Sequence, residues 1–168
     1  MYKIILIAVT ALCIGLPAMS HAVIKKGAQL PVFSATTAKG EKVSSTLYNG
    51  KVLLIMISSE YCTYCKMAIP HLNRLESHYG TAGMSVVGLI TGPGFGIKSL
   101  KNYIANNDVS FTMNVTDNKT LYETIGAYSV PTFLLINKKG TVTGYFRGYS
   151  EVHMEIIEKQ IQTLLAEK

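Results

Sequence analysis

The chain has 168 residues, of which 48% are hydrophobic and 15% charged. That is enough for one domain with a real core, too short for two comfortable ones, and too apolar for a disordered chain. The net charge of +6 is spread without a dense Lys/Arg run, so it gives no ground for a nucleic-acid partner.

Residues 1–22 read as a secretory signal. Lys3 is the basic start, Ile4 to Leu16 is almost wholly apolar, Pro17 breaks the run, and Ser20 and Ala22 are small. Cleavage is expected after Ala22, with the Ala18–Ser20 region as the alternative. Residues 23–168 then form one domain. An uncleaved anchor is the rival reading, but the apolar stretch falls short of the ~20 residues a spanning helix needs. Lys25 and Lys26 would also lie on the far side, against the positive-inside tendency. Cys13 follows the large Leu12 inside the apolar run, which fits a small apolar residue of the signal better than a lipidation site.

Val32 to Thr36 and Glu41 to Val43 flank Lys39-Gly40 as a hairpin. Lys51 to Ile57 is bounded by Asn49-Gly50 and Ser58-Ser59 and reads as a buried central strand. The period then changes. From Cys62, Met67, Ile69, Leu72 and Leu75 mark a helix ending near Gly80. Met84 to Ile90 is a second buried strand, Thr91 to Gly96 a Gly/Pro loop and Ile97 to Asn106 a helix. Phe111 to Val115 is a short strand, and Lys119 to Ile125 a short helix stopped by Gly126. Thr132 to Ile136 and Val142 to Phe146 form a hairpin across Lys138-Lys139-Gly140. Ser150 caps a last helix that buries Val152, Ile156, Ile157, Ile161, Leu164 and Leu165. Strands alternating with helices, then a closing hairpin and helix, predict an α/β fold: a mixed central sheet with helices on both faces.

Three cysteines are present, and without the signal only Cys62 and Cys65 remain. The pair follows a buried strand and opens a helix. The free N–H groups and positive dipole end of a helix N-terminus favour a thiolate, which is the attacking species in disulfide exchange. Cys62 is therefore the candidate nucleophile. Cys65, one turn later, is the candidate resolving thiol.

Other readings stand beside this one. A zinc half-site needs two further ligands, and His71 and His78 lack a usual spacing from Cys65. A structural staple closing so short a loop restrains little chain entropy. Copper chaperones of related shape space their cysteines one residue wider and add a distant histidine, for which His153 is the late one here. Peroxide chemistry lacks the Pro and Thr spacing before Cys62. Gly92 to Gly96 matches neither a phosphate loop nor a dinucleotide fingerprint. Met67 and Met84 read as core, and no cofactor is expected.

The stretch from Leu54 to Pro70 resembles the thioredoxin active-site segment, closest in Cys65-Lys66-Met67-Ala68-Ile69-Pro70. Val130-Pro131-Thr132 with Phe133 to Ile136 resembles that superfamily's cis-proline loop and following strand. Leu30-Pro31-Val32-Phe33, the Lys39-Gly40 turn, Asn49-Gly50-Lys51-Val52 and the inserted helix Ile97 to Asn106 are similar to the TlpA/ResA group, over about residues 30 to 165. The resemblance implies a thioredoxin fold with an N-terminal β-hairpin. It also implies a cis Val130–Pro131 bond facing Cys62. Pro131 there blocks metal capture, and the Val130 backbone is free to pair with an extended substrate. Tyr61, Thr63, Tyr64 and Val130 become the expected substrate-contacting residues. Members of the group are extracytoplasmic thiol–disulfide reductases of bacteria, several of them acting in cytochrome c maturation. The implied partners are a protein thiol or disulfide substrate and a membrane thiol-transfer electron donor, and the implied place is the periplasm or an equivalent space.

Three positions depart from that pattern. Tyr61 stands where the group usually has Trp. Thr63-Tyr64 replaces a pair whose second member is commonly Pro, and a Tyr there is similar to disulfide isomerases and glutaredoxins. Met56 occupies the place of thioredoxin's buried aspartate, and Ala68 that of a glutamate found in some relatives. Glu60 is the nearest carboxylate in sequence.

Overall fold

The computed structural model describes residues 24–167; the expected signal and Cys13 lie outside them. Seven strands form one sheet: β1 (Ser34–Thr37), β2 (Lys42–Ser44), β3 (Val52–Ser59), β4 (Met84–Thr91), β5 (Thr112–Val115), β6 (Thr132–Ile136) and β7 (Val142–Arg147). Three helices accompany them: α1 (Thr63–Tyr79), α2 (Ile97–Asn106) and α3 (Glu151–Ala166).

The strand order is β2-β1-β5-β4-β3-β6-β7. β3, β4 and β5 are parallel, whereas β6 runs antiparallel to β3 and β7 antiparallel to β6. The β1–β2 hairpin joins through β1, antiparallel to β5. β3 and β4 are in full register from Val52 opposite Met84 to Ser59 opposite Thr91. Strands buried on both faces need unbroken apolar runs, which is what these two sequences supply.

Side-chain alternation divides the core in two. Val52, Leu54 and Met56 face α1, α2 and α3 together with Cys65, Leu72, Leu100 and Ile157. Leu53, Ile55 and Ile57 face the other way, against Ile24, Phe33, Leu121 and Ile125. All three long helices therefore cover one face. The second face is covered by the turn Thr120–Thr124, by Tyr48 of the short turn Ser45–Tyr48 and by the chain before β1. This is the mixed sheet flanked by helices that the sequence implied.

Helix ends match their chemistry. The N–H of His153 donates to the Ser150 hydroxyl at 3.1 Å, capping α3 as expected. Two predicted burial patterns need correction. In α3 the buried residues are Met154, Ile157, Ile161 and Leu164, and Val152 and Ile156 are exposed. The spacing 154-157-161-164 follows one stripe of a 3.6-residue helix, and Val152 and Ile156 lie off it. In α1, Met67 is exposed, because the buried stripe there is Cys65, Ala68, Ile69, Leu72 and Leu75. The expected short helix at Lys119 to Ile125 is a π-type turn, with the Ile125 N–H bonded to the Thr120 carbonyl at 2.9 Å. Gly126, at φ +69°, ends it by a left-handed step that a side chain would oppose.

Candidate active site

The sheet determines where the cysteines sit. β3 ends at Ser59, the Cys62 N–H closes a turn on the Ser59 carbonyl at 3.2 Å, and α1 begins at Thr63. Cys62 is the N-cap, in extended conformation, and its sulfur accepts the Cys65 N–H at 3.1 Å. A thiolate at this position would gain that hydrogen bond and the positive end of the helix. The two cysteines are joined as a disulfide with Cα atoms 5.2 Å apart. Their exposure differs: Cys62 is half-buried, and Cys65 is 0% exposed within the helix-side core.

The cis-proline loop lies at the same end of the sheet. Thr132, the first residue of β6, pairs with Ile57 near the end of β3. Pro131 precedes it in a cis bond to Val130, and its carbonyl accepts the Gly148 N–H at 2.8 Å. Val130 is exposed, and neither its N–H nor its carbonyl bonds any described residue. Tyr61 is 84% exposed, and Thr63 and Tyr64 are exposed beside it. Cys62, Cys65, Tyr61, Thr63, Tyr64, Val130 and Pro131 therefore lie at the same end of the sheet.

Behind the disulfide the surroundings are apolar. Met56 and Ala68 are fully buried in the cluster that holds Cys65. Among the described residues no carboxylate is buried. Glu60 is half-buried and lines a cleft with Lys66, Ser99, Asn102 and Tyr103. Two hydroxyls on the Cys65 side were not found from sequence. Ser58 is 0% exposed, two residues along the strand from Met56 on the same face, and Tyr103 of α2 is buried with a hydroxyl that bonds no described residue. Burial pushes the Tyr103 phenol up. The seryl ending of β3 was visible in the sequence, but the second hydroxyl supplied by the inserted helix was not.

The histidines raised as metal ligands have other neighbours. His71 Nε2 lies 3.3 Å from Glu151, and His153 Nδ1 lies 3.2 Å from the Gly148 carbonyl. Among the described residues no helix is long and apolar enough to cross a membrane.

The AhpC/TSA family matches residues 26–145, most of the chain and all of this edge. The chain belongs to the AhpC/TSA family. Its similarity is to thioredoxin-like members. It is 25% identical over 122 residues to the thiol-disulfide oxidoreductase ResA of Bacillus thuringiensis subsp. konkukian, covering 73% of this chain and 69% of that protein. It is 26% identical over 119 residues to the thioredoxin-like protein YneN of Bacillus subtilis, covering 71% and 69%. In fold it matches a Chlorobium tepidum protein that carries the name thiol:disulfide interchange protein DsbE. That match has a TM-score of 0.78 at 22% identity, over 85% of this chain and 99% of that one.

Proposed function

We propose that this thiol–disulfide oxidoreductase reduces disulfides of protein substrates outside the cytoplasm, with Cys62 as nucleophile and Cys65 as resolving thiol. The observation that carries the reading is the unequal exposure of two cysteines at one helix N-terminus. A substrate disulfide reaches Cys62 and not Cys65.

The cycle starts from the dithiol. The Cys62 thiolate attacks one sulfur of the substrate disulfide, forming a mixed disulfide and releasing the other substrate sulfur as a thiolate. Cys65, after losing its proton, attacks the Cys62 sulfur. The Cys62–Cys65 bond forms, the mixed disulfide breaks, and the second substrate sulfur leaves as a thiolate, which takes up a proton. Two electrons have passed to the substrate. A second dithiol must return them, and a membrane thiol-transfer protein is the donor we propose. Pro131 keeps an N–H out of the sulfur site, and the free Val130 backbone pairs with the substrate chain. Tyr61, Thr63 and Tyr64 flank the entrance. An apocytochrome thiol pathway is one substrate setting consistent with this chemistry. Residues 1–22 are the proposed export signal.

Thr63-Tyr64 between the cysteines favours a second reading, oxidation or isomerisation. The reduction potential separates the two. A value near or below about −270 mV supports reduction, and one toward about −120 mV supports oxidation or isomerisation. Cys62→Ser abolishes turnover in either reading. Cys65→Ser traps a mixed disulfide, visible as a reducible adduct on a non-reducing gel. Full activity of Cys62→Ser would defeat the assignment, as would rapid hydrogen peroxide consumption with no disulfide exchange.

A further inference from the structure

The edge that carries Cys62 continues past Val130 into a trough of about 340 Å³. Ile57, Leu121 and Ala127 form its buried floor. Tyr122 and Tyr128 form its wall, their rings parallel within 11° and 5.8 Å apart at the centroids. No charged side chain lines it, and Ser59, Thr91, Asn118 and Ser129 supply its polar lining.

Three observations point to an occupant. The tyrosines are 39% and 57% exposed, and among the described residues nothing covers the trough they line. An exposed aromatic pair over an apolar floor gains from covering by another apolar surface. The volume is at the small end of the range of about 300–1,000 Å³ usual for ligand pockets, enough for one large side chain with some backbone. Val130 is both the near rim of the trough and the residue with a free N–H and carbonyl. A strand pairing there sends alternate side chains to opposite sides. A close neighbour of the substrate cysteine then falls into the trough.

We propose that the Tyr122–Tyr128 trough is a side-chain subsite that selects disulfide substrates bearing an aromatic or large aliphatic residue beside the reacting cysteine. The subsite rests on the exchange reaction proposed above and adds a substrate class to it. It disfavours a charged residue at that place, because an acidic or basic side chain would lose water without gaining an opposite charge.

The test uses the full chain and two disulfide-closed peptides identical except for Phe or Glu next to one cysteine. Each kcat/KM is divided by the same protein's rate with hydroxyethyl disulfide, which carries neither a backbone to pair with Val130 nor an apolar side chain for the trough. The unmodified chain is expected to favour the Phe peptide by about tenfold. Tyr122→Ser with Tyr128→Ser is expected to erase that preference, and Tyr128→Phe to keep it. Tyr128→Ser alone, at the more exposed position, gives the same direction should the double variant fail to fold. A preference retained in the serine variants overturns the subsite. So does the absence of any preference in a chain that still exchanges with hydroxyethyl disulfide, and that result leaves the exchange reaction standing. Failure to exchange with all three disulfides overturns both.

Discussion

At the scale of single residues, the site is defined as much by Met56 as by its cysteines. Met56 is fully buried in the cluster that holds Cys65, at the position that the resemblance assigns to a buried aspartate. The hydroxyls of Ser58 and Tyr103 are among the polar groups buried on that side. Restoring an acid is costly. Met56→Asp loses packed side-chain volume and buries a carboxylate with no built-in partner, so it should lower stability by more than about 3 kcal/mol, read from urea unfolding. Met56→Leu conserves volume and should cost less than about 1.5 kcal/mol in the same assay. The cysteine motif and the proline loop were legible in sequence because each is a short run with its own chemistry. Tyr122 and Tyr128 were not. They lie on either side of the Gly126 turn, and no periodicity links residues across such a break.

At the scale of elements, α1 is held in place by α3. Arg74 on α1 makes a two-point contact with Glu158 on α3, at 2.8 and 2.6 Å, and Tyr79 adds a third bond to the same carboxylate. The Arg74 guanidinium holds the Glu158 carboxyl below its usual 4.5. A carboxylate pKa lowered by folding adds stability above the unfolded-state value, and that stability is lost as pH falls through the folded-state value. The tie is therefore intact at neutral pH and weakens in acid, below about pH 4.5. Arg74 is half exposed, so Arg74→Ala should cost under about 1 kcal/mol at pH 7 and flatten the acid limb of the stability profile. Lys138 closes the other end of α3, its ammonium donating to the Leu165 and Glu167 carbonyls. Lys138→Ala should fray the last turn by about 0.5–1 kcal/mol, seen as faster amide exchange there. The element boundaries were largely readable, and α2 and β6 coincide with the predicted spans. The buried face of α3 was harder. Its sequence carries more apolar residues than one stripe can hold, and only packing against the sheet selects Met154 over Val152 and Ile156. The π-type turn differs from an α-turn by one step in hydrogen bonding, which composition does not encode.

At the scale of the whole molecule, the parallel centre β3-β4-β5 sends every C-terminal strand end to one edge. The cysteines, the proline loop and the trough gather there without any need for closeness in sequence. The alternation of apolar runs gave the α/β class, but the order of strands, and the placement of all three long helices on one face, depend on pairings between distant segments. The redox couple also belongs to this scale, since disulfide stability and fold stability are linked. A reductase has a low potential, so its folded form favours the disulfide. A strong oxidant instead has a stabilised reduced form. For the proposed reductase, thermal unfolding should therefore occur at a higher temperature in the oxidised protein than in the dithiol form. The reverse order would favour the oxidase or isomerase reading.

The complete burial of Cys65 has a bearing on timing. In the proposed cycle, once a substrate is joined to Cys62, stray disulfides from the surroundings cannot reach the Cys65 thiol to cap it by exchange. The lifetime of the joined state is then an internal clock, set by how readily Cys65 gives up its proton among apolar neighbours. Brief exposure of the native dithiol protein to iodoacetamide should accordingly add one label, on Cys62, with the second appearing only after unfolding, as counted by mass spectrometry. A slow clock would make this protein a patient partner, holding each client long enough for the client's own chain to rearrange before release.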